Sequence, residues 1–168
     1  MIKKLILAAF LALPMCIAAQ TLKFGTVNTQ EIFNLMPDKV TAENTLKSVS
    51  EKYEAEFKKL QEEFNKKYTE FQALDESTPQ SIKDSRMREL QENSQKIQNF
   101  QQTAQQEIAK QQETLLAPIS DKIQKAIQAV GAEGGFTFIY DLSIPAIVYH
   151  GTGAVNATPL VKAKLGIQ

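Results

Sequence analysis

The residues able to do covalent or metal chemistry are few. His150 is the single histidine and Cys16 the single cysteine. A nucleophile needs a base beside it, and a metal site needs three or four donors held together. His150 sits at an expected strand end with no second histidine or cysteine to complete either arrangement. Gly151-Thr152-Gly153 is a glycine turn and lacks the G-x-x-x-x-G-K-[ST] spacing that cradles a phosphate. The carboxylate pairs Glu62-Glu63 and Asp75-Glu76 fall on a solvated helix face and in a turn, where their role is solubility. No catalytic, cofactor-binding or metal residue is expected, and the chain does not read as an enzyme.

The N-terminus carries an address. Lys3 and Lys4 precede the apolar run LILAAFLALPMCIA, which is too short to span a bilayer and ends near Ala18-Ala19. Residues 1–19 are expected to be a cleaved signal peptide, which marks an exported protein of the cell envelope. Pro14-Met15 ahead of Cys16 are not the small residues that lipidation requires, and cleavage removes Cys16 with the leader. The mature chain then has neither a disulfide nor a thiol. Nineteen basic and nineteen acidic residues balance, so the charge gives no grip on nucleic acid. No later apolar run is long enough for stable membrane insertion.

Three zones follow from composition. Residues 20–37 hold a strand-like run, Leu22 to Val27, and a short helical turn. Residues 38–130 are charged, Gln-rich and free of glycine. Residues 131–168 return to glycine and β-branched types, with strands expected at Phe136–Tyr140 and Ile147–His150. A closing helix is expected after them, with Thr158 as its N-cap, Pro159 at its first position and Gly166 past its last turn.

The middle zone has a definite period. Apolar residues fall at Leu46, Val49, Tyr53, Phe57, Leu60, Phe64, Tyr68 and Phe71, in steps of 3, 4, 4, 3, 4, 4 and 3. Eleven residues in three turns keep such a stripe nearly straight along a helix. The turn-like stretch LDESTPQS follows, with Thr78 placed to cap a second helix beginning at Pro79. That helix carries Ile82, Leu90, Ile97, Phe100, Ala104, Ile108, Leu115 and Ile119. If the chain reverses near 76, residues whose numbers sum to about 153 stand side by side. Phe71 then meets Ile82, Phe64 meets Leu90, Phe57 meets Ile97, Tyr53 meets Phe100, Val49 meets Ala104 and Leu46 meets Ile108. The pattern predicts an antiparallel hairpin of helices 38–74 and 79–130, the first ~55 Å long. By the same rule Pro37 lies level with the neighbourhood of Pro118, and a kink or hinge is expected at the arm's root.

The two end zones hold about fifty residues, too few to close a core alone. Yet they carry Phe24, Val27, Phe136, Phe138, Tyr140, Ile147 and Tyr149, which points to several copies pooling their strands. The fold class is therefore α+β, a long helical hairpin on a small β body completed by oligomerisation. A coiled-coil spacer or adaptor of the cell envelope fits the periodicity as well as a binding protein does.

KFGTVNTQEIF at the front and LAPISDKIQKAIQAVGAEGGFTFIYD at the back resemble the Skp/OmpH family of periplasmic chaperones, and the likeness covers nearly the whole mature chain. The resemblance implies a homotrimer whose pooled strands form a small barrel body. It also implies three helical tentacles around a cavity that holds unfolded outer-membrane proteins without ATP. The arm departs from the family's basic character: 38–130 carries 14 basic and 16 acidic residues. Client binding here is expected to rest on apolar contact, with Phe71, Leu74, Met87 and Leu116 as candidates.

Overall fold

The computed structural model of the chain describes residues 22–167. The signal-peptide reading of 1–19 and the first two residues of the expected body lie outside the described residues. The elements are β1 (Phe24–Val27), α1 (Thr29–Leu35), α2 (Pro37–Gln72), α3 (Gln80–Glu133), β2 (Phe138–Asp141), β3 (Val155–Asn156) and α4 (Thr158–Leu165). The fold is α+β: a two-helix arm on a three-stranded sheet.

The arm forms because α2 and α3 are strings of strong helix formers with an apolar stripe on one side. Pro37 occupies the first turn of α2, where its missing N–H costs nothing. At 54 residues α3 is ~80 Å long and runs unbroken through Pro118. The reversal at the tip is built on Asp75, whose carboxylate accepts the Ser77 N–H at 2.8 Å and whose carbonyl accepts the Thr78 N–H at 3.0 Å. Thr78 is not the cap expected of it. The helix starts one residue later than expected, so Pro79 takes the capping position and offers no side-chain bond.

In the body, β1 is the middle strand and all pairing is parallel. Phe24 lies beside Phe138 and Val27 beside Asp141 on one edge, and Gly25 lies beside Val155 on the other. The expected strand at Ile147–His150 does not form, and Val155–Asn156 pairs instead. Both edges of β1 are taken by β2 and β3, and the apolar 147–150 segment lies outside the sheet, with Ile147 half-buried and Val148 97% exposed. Phe136, expected in a strand, lies before β2 and packs inward. Its ring sits where side chains on Gly25 and Gly134 would be, 2.9 Å and 2.6 Å from their ideal Cβ positions. Lys23 caps the same ring at 4.1 Å and donates to the Gly134 carbonyl at 2.7 Å.

One core joins the arm's root to the sheet. Ile32 and Met36 of the α1 region, Ala42 of α2, Val27 of β1 and Val161 of α4 pack with Ile119, Ile123, Ala126 and Val130 of α3. The last turns of the long helix therefore supply the apolar surface that the short end zones lack. Thr158 does not cap α4 as expected. It is 5% exposed, and its hydroxyl accepts the Asn28 N–H at 3.0 Å, a contact between the sequence's two ends. Gly166 does close α4, at φ +71, the left-handed geometry that favours glycine.

Candidate functional site

Two surfaces remain after this packing: one face of the sheet and the length of the arm. Alternation along the strands sends Phe24, Phe138 and Tyr140 to one face. The rings of Phe24 and Phe138 stack at 6.3 Å, and those of Phe138 and Tyr140 at 6.0 Å. This aromatic row stays open, with Phe138 55% exposed. Ile147 and Tyr149 line a cleft with Phe24, Thr26, Tyr140 and His150 beside it. Val27, placed by sequence with the same group, faces the other way and is 2% exposed in the chain's own core.

A polar latch holds the sheet to α1. The Asp141 carboxylate accepts from the Thr29 hydroxyl at 2.5 Å and backbone N–H at 3.2 Å, and from the Ser143 backbone at 2.9 Å. Burial pushes the Asp141 carboxyl up, but hydrogen bonds from Thr29 and Ser143 outweigh it and hold the carboxyl below its usual range. No sequence signal marked this residue as a latch, because its partner Thr29 lies more than a hundred positions away along the chain.

Along the arm the rings of Tyr53 and Phe100 meet at 5.9 Å, tilted, which fixes the register of the two helices. Leu60, Leu90 and Ala104 are buried between them, while Leu46, Val49, Phe57, Phe64, Ile97 and Ile108 are half-buried. Leu60 was legible in the eleven-residue period although the pair rule gave it no apolar mate. Toward the tip the seam loosens. Phe71 and Leu74 are half-buried, but Ile82, expected inside the seam, is 46% exposed. Near the turn the helices offer each other one shallow side, and a residue there is covered from one direction only.

Of the other candidate contacts, Met87 is 43% exposed on the arm's flank. Leu116 instead packs against the core at the root. There Asp38 of α2 pairs with Lys122 of α3, one turn beyond Pro118. Among the described residues no cluster of three or more His, Cys, Asp or Glu could hold a metal ion, and no helix is long and apolar enough to cross a membrane. His150 stands exposed at the rim of the sheet cleft.

The fold and these surfaces define a class of protein: a small sheet-bearing body with one projecting helical arm and open apolar surface on both. Residues 23–165 match the family described as OmpH-like outer membrane proteins. The chain belongs to this family, the Skp/OmpH family, whose members are periplasmic chaperones rather than enzymes. A comparison with curated proteins found no match.

Proposed function

We propose that this protein is an ATP-independent holdase of the periplasm. It works as a homotrimer, in which the aromatic faces of three sheets meet and the arms enclose a cavity for unfolded outer-membrane proteins. The observation that carries this reading is the row Phe24, Phe138 and Tyr140, an open apolar face in a family of periplasmic chaperones. Such a row is stable in water when it is covered, and a second and third copy present the same row. The neighbouring Ile147 and Tyr149 extend the surface each copy offers.

Clients meet the arm through dispersed side chains such as Phe71, Leu74 and Met87. Each contact is weak, and retention comes from many contacts across three arms, so release needs no fuel. Sedimentation of the mature protein, alone and with a urea-unfolded outer-membrane barrel protein, tests both parts. A trimer that gains one client's mass is expected. A monomer at micromolar concentration, or a client that aggregates regardless, overturns the reading.

The arm's root is the flexing point in this proposal. Pro118 has no N–H for the Thr114 carbonyl, and the Thr114 hydroxyl bonds back to Lys110 at 2.8 Å, a combination that bends helices. Flexing there adapts the cavity to client size. Cysteines at Ala42 and Glu113, oxidised to a bridge, are expected to weaken the holding of large clients. Equal holding of large clients with the bridge formed removes Pro37 and Pro118 from the mechanism.

A further inference from the structure

The seam contains one polar position that nothing in the arm satisfies. Among the described residues, the Asn93 side-chain nitrogen is the buried side-chain N or O that has no hydrogen-bond partner. Asn93 lies on α3 between buried Leu90 and half-buried Ile97, at the spacing of the apolar stripe. The Tyr53–Phe100 contact sets the register, and that register places Asn93 opposite Leu60, which is 6% exposed and has no polar group to offer. Turning the amide over exchanges an orphaned donor for an orphaned acceptor and leaves the same problem.

Gln61, Phe64, Asn65, Ser94, Ile97 and Gln98 line a gap beside the seam next to Asn93, and a gap of similar size lies on the root side along Tyr53, Phe57, Phe100 and Ala104, so the unmet amide and not the looseness of packing distinguishes this level. Beyond Leu90 the stripe is already half open, with Tyr68, Ile82 and Met87 each more than two-fifths exposed. On the root side, Ala104 is buried and the arm joins the body's core.

We infer that Asn93 divides the arm into two cooperative units and sets the outer one to open on its own. Asn93 as a whole is half-buried, but its buried donor without a partner is destabilised relative to a hydrated one. Separating the helices beyond this point lets water reach it, so opening recovers what closure costs. The inner unit has no such gain and stays shut. Opening uncovers Leu60, Phe64 and Leu90 as a block, and these side chains fray together.

Hydrogen exchange on the whole protein, read by peptide, tests this without any client, so the result is separable from the holdase reading. Asn93→Leu keeps the shape and removes the amide. It is expected to slow exchange over roughly 60–92 by about tenfold, the scale of relieving one unmet buried group, and to leave 36–45 and 115–130 unchanged. Asn93→Asp keeps the shape, removes the donors and adds charge, and is expected to hasten exchange over the same span. Unchanged exchange in Asn93→Leu, or slowing spread evenly from tip to root, overturns the inference. If Asn93→Asp fails to fold, Asn93→Leu decides alone.

Discussion

Asp141 shows what a single side chain contributes that its type does not announce. An aspartate after a strand reads as a turn residue, yet here it gathers donors from Thr29 and Ser143 and ties β2 to the start of α1. Its pKa is lowered from the ordinary 3.8, so its contribution is present above the unfolded value and is lost as pH falls through the folded one. Asp141→Asn is expected to cost about 1.5–3 kcal/mol at neutral pH, the range for charge-assisted hydrogen bonds. Because the variant cannot titrate, its stability should fall less than the parent's on acidification below about pH 4. Urea titrations of both proteins at pH 7 and at low pH measure the two effects. Equal stability at pH 7 means that water serves the carboxylate as well as Thr29 does.

At the scale of elements, the arm was the most legible part. Leu46 through Phe71 repeat with a helical period, and every contact that creates the period lies within two turns of chain. Hairpin register was legible for a similar reason. Two stripes joined by a short turn have few ways to align, and the Tyr53–Phe100 contact occurs at the expected pairing. Exposure was not legible: Ile82 has the spacing of a seam residue and the surroundings of a surface one. Leu90→Ala should therefore matter more than Ile82→Ala. The buried Leu90 is expected to cost ~2–4 kcal/mol, and Ile82→Ala well under half of that. Thermal melts followed by helical circular dichroism compare them. Equal losses would mean that the tip is as tightly closed as the middle of the arm.

For the molecule as a whole, the question is what covers the sheet. The body's core is closed within one chain by α1, α4 and the last turns of α3, so the proposed assembly can be tested by mutation apart from folding. Phe138→Glu puts charge into the centre of the open aromatic row without touching that core. It is expected to leave helical content intact and to reduce the sedimenting mass to one subunit. Retention of the parent mass would place the subunit contact elsewhere. The arm's 14 basic against 16 acidic residues leave little net field, which is why the capture proposed above is assigned to apolar contact and enclosure.

By itself the sequence determined the helices, their hairpin, the direction of the apolar stripe and the family likeness. These depend on neighbours three, four or eleven positions apart, and on motif residues contiguous in the chain. Only the tertiary structure decided which apolar segment becomes the third strand. Ile147–His150 has the stronger composition, but Val155–Asn156 reaches the edge of β1, and strand pairing belongs to whichever segment arrives there. The fate of Thr158 was settled in the same way, by the backbone of Asn28 on the far side of the chain. Local periodicity can be read one residue at a time, whereas an edge or a donor supplied from a distant segment exists only once the chain has closed around it.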